Sequence, residues 1–173
     1  MMYNNIKRLF KEINVMAQGK TNVMRILDSN DIDYDILNYD NKDGKIDGVS
    51  VANKINKNVD VVYKTLVTKG VSKEIYVFVI PVTEELDLKK AAKATEEKKI
   101  EMLEVKDINK YTGYIRGGCS PIGMKKKYKT FIDNSCNNIE SIIVSGGKIG
   151  VQIELKTNGL IKATDGIVVD LKK

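Results

Sequence analysis

Apolar positions recur along this chain with two periods. Near the start, Ile6, Leu9, Phe10 and Ile13 fall at helical spacing and predict a short amphipathic helix. Val23, Ile26 and Leu27 mark one face of a second helix, which Thr21 or Asn22 can cap. Residues 32–39 read as a strand, 40–48 as a polar, glycine-containing loop, and Ser50 opens a helix through Val51 and Ile55. Two further strands, 60–68 and 73–82, flank a hairpin signal at Lys69-Gly70. Asp87 caps a helix over 88–96. A short strand at 100–103 and a short helix at 106–110 follow, then a strand at 128–132. Segments 141–145 and 150–155 flank a predicted turn at Gly146-Gly147. A helix near 159–163 leads to a last strand, 166–171.

Strands outnumber helices and are mostly linked by short turns. The prediction is a mixed α/β fold with a substantial, partly antiparallel sheet. No repeat or low-complexity linker divides the chain, so residues 16–173 read as one domain. Residues 1–15 look unlike the rest. Lys11-Glu12 can be encoded AAG GAG, a purine-rich ribosome-binding sequence just ahead of Met16. We expect an N-terminal extension here, with Met16 the natural start.

Composition narrows the chemistry. With 173 residues, 42% hydrophobic and 30% charged, the chain can bury a real core. Its apolar runs are strand-sized, and no leader pattern opens it, so a cytoplasmic protein without a membrane span is expected. Cys119 and Cys136 form no CxxC pair or disulfide framework, which suits a reducing compartment. The net charge of +6 favours an anionic partner, although a lysine-rich surface also serves solubility alone. The decisive count is zero histidine. It removes the Ser-His-Asp triad, the Cys-His dyad and histidine-containing zinc sites. Chemistry must come from lysine, carboxylates, hydroxyls, backbone amides, water or the substrate.

Four features could carry it. Lys64 shares a strand face with Val62 and Leu66, while Val61, Tyr63 and Val67 take the other. An unpaired buried ammonium is costly, so Lys64 either meets an anion in a polar cavity or snorkels to water. The segment Gly117-Gly118-Cys119-Ser120-Pro121-Ile122-Gly123 lets backbone approach a ligand closely and can offer an anion-binding nest, or is an ordinary tight connection. It matches neither a Walker loop nor a dinucleotide fingerprint. Within it, Cys119 is a nucleophile only if a neighbour lowers its pKa; otherwise it is a small hydrophobe. Ser145-Gly146-Gly147-Lys148 is a hairpin turn or places Ser145 at a strand end facing a pocket. The run Lys125-Lys126-Lys127 is a solvated face or a contact for RNA phosphates. Cys136, in an Asn-rich stretch, reads as incidental.

In order and spacing, Thr21-Asn22-Val23-Met24-Arg25, Tyr63-Lys64-Thr65-Leu66, Leu86-Asp87-Leu88-Lys89-Lys90-Ala91-Ala92-Lys93, Thr112-Gly113-Tyr114, the Gly117–Gly123 segment and Ser145-Gly146-Gly147-Lys148 together resemble the YbaK/EbsC family of aminoacyl-tRNA deacylases. The Cys-Ser-Pro-Ile-Gly-Met-Lys-Lys wording is most similar to the EbsC-like branch. The resemblance implies a compact mixed α/β domain around a twisted, barrel-like sheet, as in prolyl-tRNA synthetase editing domains. It implies hydrolysis of mischarged aminoacyl-tRNA, best known for cysteine on proline tRNA, without a cofactor or metal. It places the key lysine at Lys64, the glycine loop whose amides bind the carbonyl oxygen at Gly117 and Gly118, and substrate contacts at Tyr39, Thr65, Ser145 and Lys148. The segment Leu37-Asn38-Tyr39-Asp40-Asn41 lacks the histidine that family members often carry, and loop 40–48 is unlike theirs.

The mechanism so implied is substrate-assisted: the cysteine thiol attacks its own carbonyl and leaves as a thiolactone. That tolerates a histidine-free chain. A monomer, with prolyl-tRNA synthetase as a possible docking partner, fits the resemblance. Two other readings stay open: a deacylase for another small amino acid such as alanine, and a non-catalytic module that binds a nucleotide or RNA end.

Overall fold

In a computed structural model, residues 1–173 are described, apart from the side chains of Asn14 and Gln18. Helix α1 covers Met2–Gln18 and α2 covers Asn22–Ser29, where the Thr21 hydroxyl accepts a hydrogen bond from the Met24 amide. Strand β1 is Tyr34–Asn38. Helix α3, Gly48–Lys54, starts earlier than Ser50 because Asp47 is the residue that caps it, accepting from the Ser50 amide. Strands β2 (Tyr63–Gly70) and β3 (Ile75–Pro81) form a hairpin, entered through a short 3₁₀ turn at Val59–Val61, but Lys69-Gly70 still belongs to β2 and the chain reverses over 71–74. Helix α4 is Leu88–Thr95, capped by Asp87 as predicted; β4 is Ile100–Met102 and α5 is Val105–Thr112. Then come β5 (Lys129–Asp133), β6 (Ser141–Lys148), β7 (Val151–Lys156), α6 (Thr157–Thr164) and β8 (Ile167–Val169).

The strands make two sheets, β1-β7-β6 and β4-β2-β3-β5-β8. The smaller is antiparallel throughout. The larger is antiparallel from β4 to β3 and parallel from β3 through β5 to β8. An isolated bridge, Val62 to Ile143, joins the two. The expected barrel-like closure is therefore corrected: the sheets meet at one corner and stay open. Strand β3 reads as a nearly continuous apolar run because it lies between β2 and β5, covered on both faces. One core cluster sits between the sheets and under α2 and α6, with Val23, Leu27, Val79, Ile132, Ile153 and Leu160. A second lies under α4, where Phe78 and Phe131 stack at 5.4 Å.

Gly146-Gly147 is not the reversal. Ser145 pairs with Gln152 and Lys148 with Val151, so the two glycines form an irregularity inside β6 and the chain turns at Ile149-Gly150. Cross-strand pairing of the flanking residues outweighs the turn preference of the glycine pair.

Helix α1 presents Ile6, Leu9, Phe10 and Ile13 to solvent, and its Lys7 pairs with Asp35 at 3.6 Å. None of the described side chains in residues 1–15 is buried. We propose that residues 16–173 fold alone. A chain starting at Met16 is expected to melt within about 3 °C of the full chain, a shift that corresponds to roughly 1 kcal/mol at this size; thermal denaturation followed by circular dichroism checks it. Among the described residues, no helix is long and apolar enough to cross a membrane.

Candidate functional site

A cleft of about 300 Å³ opens where β2 starts, beside the first turn of α3, the glycine loop and the neighbouring ends of β6 and β7. Ile46, Val51, Val62, Leu66 and Val82 supply apolar wall; Lys64, Thr65, Arg116, Gly117, Cys119, Ser145 and Gln152 supply the polar groups. A hollow that joins an apolar wall to polar groups is the common design of a small-molecule site.

Lys64 is half-buried on β2, opposite Ile80 of β3. Its ammonium donates to the Val82 carbonyl at 3.4 Å, and among the described residues no carboxylate reaches ion-pair distance. Burial lowers its pKa from the ordinary lysine value, opposed by the more distant charges of Glu85 and Glu84. An anionic group entering the cleft would find a cation that the protein itself has left uncompensated.

The glycine loop is tied at its C-terminal end. The Tyr114 hydroxyl donates to the Ile122 carbonyl at 2.5 Å, and the Asn22 side-chain amide donates to the Gly123 carbonyl at 3.2 Å. Ile122 is buried in the main core, which anchors the loop from below. Gly117 sits at φ +87°, a left-handed conformation that L side chains rarely adopt, and a β-carbon there would lie 2.6 Å from the Ile46 Cδ1. Gly118 does not line the cleft. Its amide donates to the Ile115 carbonyl at 3.0 Å, and a β-carbon on it would lie 3.0 Å from the Ile149 nitrogen. The close approach expected of the glycine pair is thus made partly to the protein's own β6–β7 turn. Among the described residues, the amides of Gly117 and Cys119 donate to no protein acceptor.

The other expected residues divide. Ser145 and Thr65 line the cleft. The Ser145 hydroxyl accepts from the Gly147 amide at 3.2 Å, which the irregularity in β6 makes possible. The Thr65 hydroxyl is buried without a hydrogen-bond partner, and so is that of Tyr39. Buried hydroxyls left unpaired are uncommon and call for a partner. Tyr39 stands outside the lining, its amide bonded to the Gly150 carbonyl at 3.0 Å. Lys148 is exposed and also outside the lining. Lys125, Lys126 and Lys127 are exposed, with Lys127 paired to Asp165. Cys136 is buried in the core.

Cys119 reaches the cleft, but burial pushes its thiol up to about 11. At neutral pH it is a protonated thiol, a poor nucleophile. Of the two readings open for Cys119, geometry favours the small hydrophobe. Arg116, Gln152 and Ile46 also line the cleft, and sequence reasoning misses them. Only Arg116 carries a signal, as a rare arginine directly before the glycine loop. Gln152 is buried beside Ser145 through strand pairing, which a single sequence does not display.

The model of the aminoacyl-tRNA editing domain matches residues 47–163, a span that includes β2, the glycine loop and Ser145. The chain belongs to the aminoacyl-tRNA editing domain family. This editing domain is 44% identical over 150 residues to a protein of Enterococcus faecalis named Cys-tRNA(Pro)/Cys-tRNA(Cys) deacylase EbsC, with 87% of this chain and 92% of that protein covered. It is 32% identical over 91 residues to a proline–tRNA ligase of Brachyspira hyodysenteriae, covering 53% of this chain and 16% of the ligase. Among solved structures, a protein described as a trans-editing enzyme for prolyl-tRNA synthetase superposes with a TM-score of 0.77 at 19% identity, over 88% of this chain and 95% of that one. The hypothetical protein APE2540 gives 0.81 at 17% identity, over 88% and 100%. At these identities the two structures speak for the fold, and they place the editing domain in the same mixed α/β architecture.

Proposed function

We propose that the editing domain is a trans-acting deacylase of mischarged aminoacyl-tRNA and that its substrate is cysteine on proline tRNA. The observation that carries this reading is the half-buried, unpaired ammonium of Lys64 in a cleft whose facing loop offers free amides. The relative named as a Cys-tRNA(Pro)/Cys-tRNA(Cys) deacylase supports the choice of amino acid.

An aminoacyl ester is already activated, so the protein must position it and stabilise the oxyanion that develops on its carbonyl. Lys64 holds the terminal nucleotide through phosphate or ribose. The Gly117 and Cys119 amides face the carbonyl oxygen; one such donor is typically worth about 100- to 1,000-fold in rate. The Gly118 amide, engaged with Ile115, serves by fixing the loop. Thr65 lends its unpaired hydroxyl to the substrate side, Ser145 shapes the pocket floor, Tyr39 backs the wall from outside the lining, and Lys148 acts at longer range on RNA phosphates. The substrate sulfur bonds to its own carbonyl carbon, the ester C–O bond breaks, and the ribose oxygen takes the thiol proton. Water then opens the thiolactone to cysteine. Holding sulfur and carbonyl together supplies the proximity contribution, and no histidine is required.

A chain this small has little surface for reading tRNA identity. We infer that it acts in the cytoplasm as a monomer that docks on prolyl-tRNA synthetase; the partial likeness to a proline–tRNA ligase supports that partner. The reading is tested by incubating the purified chain with cysteinyl-tRNA(Pro), without synthetase or added metal, and following free cysteine. Catalysed release is expected; release at the spontaneous rate overturns it. Cys119→Ser is expected to keep at least about half of the wild-type rate, since a thiol held near pKa 11 by burial contributes no thiolate at neutral pH. A loss beyond about 100-fold in a folded variant, the scale set by removing a catalytic group, would make Cys119 a participant instead.

A further inference from the structure

Resting on the deacylase reading, we propose that Arg116 is a second anchor for the RNA, binding the backbone phosphate that follows the terminal nucleotide out of the cleft. Arg116 lines the cleft and also an adjoining concavity of about 420 Å³, and these two hollows share Ile46, Arg116 and Gly117. An RNA end seated by Lys64 has to leave across a rim of the cleft. This rim leads into a second hollow large enough for another nucleotide.

Arg116 is exposed and, among the described residues, forms no ion pair, while Asp47 lines the adjoining concavity with it. Asp40, Asp43 and Asp47 are the carboxylates of the neighbouring loop, and Asp40 accepts from the Lys42 amide at 2.9 Å. The Lys54 ammonium holds Asp43 at 2.6 Å, and Asp47 accepts from the Ser50 amide at 3.0 Å and the Ser50 hydroxyl at 2.6 Å. Both carboxyls are held below the ordinary aspartate range by those bonds. Among the described residues, Arg116 has no ion-pair partner of its own. The opposite wall is fixed as well: Lys54 also donates to the Asp40 carbonyl at 2.8 Å and the Lys45 carbonyl at 3.0 Å, which pins the 40–47 loop across the concavity. A planar guanidinium beside a tied glycine loop, facing a fixed wall, suits a phosphodiester, which it can grip with two N–H donors.

The test compares wild type, Arg116→Gln and Arg116→Lys on cysteinyl-tRNA(Pro) and on cysteinyl-adenosine, which has no phosphate. It also measures binding of an uncharged acceptor-stem RNA ending in CCA against salt. For Arg116→Gln we expect KM on the tRNA to rise about 5- to 10-fold with kcat nearly unchanged. We expect no change on cysteinyl-adenosine, and a log-affinity salt slope shallower by about 0.7, the value for one single-strand phosphate contact. Arg116→Lys should recover part of the affinity. Equal losses on both substrates, or an unchanged KM and slope, overturn the proposal. Wild type inactive on both substrates would instead remove the deacylase reading. The anchor then stands if the glutamine variant binds RNA more weakly with the shallower slope, and falls if it binds equally.

Discussion

Lys64→Met is expected to lower the rate of cysteine release from cysteinyl-tRNA(Pro) by about 100- to 1,000-fold, the scale set by removing one preorganised electrostatic interaction. The variant should fold as well as the wild type or slightly better. Methionine keeps much of the apolar stem, and the substitution removes a charge that burial disfavours and that no carboxylate pairs. The hydrogen bond from Lys64 to the Val82 carbonyl, at 3.4 Å, is long, so its removal costs the fold little. Matching melting curves beside the collapsed rate would separate a functional lysine from a structural one. The pH profile of the wild type carries the same signature. In the proposed role the ammonium is the working form, and burial lowers its pKa. Activity that depends on it is therefore present below that pKa and lost as pH rises through it, at a lower pH than an ordinary lysine would give.

Gly117→Ala is expected to reduce kcat/KM about 100-fold and to cost roughly 1–3 kcal/mol of stability, the usual cost of a non-glycine residue in a left-handed conformation. Two separate causes act there. The φ of +87° strains alanine, and the added β-carbon would lie 2.6 Å from the tip of Ile46. The Ile46 side chain lines both the cleft and the adjoining concavity, so moving it aside changes the shape of the site. In the proposed arrangement the loop amide that binds the carbonyl then moves with its backbone, and a displacement of about 1 Å is enough for the expected loss. Steady-state kinetics with a parallel denaturant titration would apportion the two effects. A variant with wild-type kcat/KM would exclude this loop from the reaction.

Much of the site is legible in the chain because strand alternation and glycine spacing are local signals. Lys64 between Val62 and Leu66 points to an ammonium held against apolar surface, and it lines the cleft. The glycine loop is legible as a unit, but the separate jobs of its two glycines are not. Gly118 is bonded to Ile115 and packed on the β6–β7 turn, whose position depends on β6 pairing with β7 beyond Gly146-Gly147. The wall built from loop 40–48 is illegible for a similar reason. Its shape is set by Lys54, which reaches back to Asp40, Asp43 and Lys45, and composition shows only a polar loop there. Asp133 gives another case. It is fully buried, accepts from the Ser135 and Leu171 amides, and starts a 3₁₀ turn over Asn134–Asn138 that no hydrophobic period announces. The mixed α/β class, by contrast, follows from the many short apolar runs, while closure into a barrel depends on pairings that only the folded sheets reveal.

The most direct test of the central claim is release of labelled amino acid from cysteinyl-tRNA(Pro) and alanyl-tRNA(Pro) by the wild-type chain, measured side by side. The account predicts rapid loss of cysteine and none of alanine above the spontaneous rate, because alanine carries no thiol to attack its own carbonyl. Release of alanine would keep a deacylase but discard the thiol-assisted step, and release of neither would contradict the account.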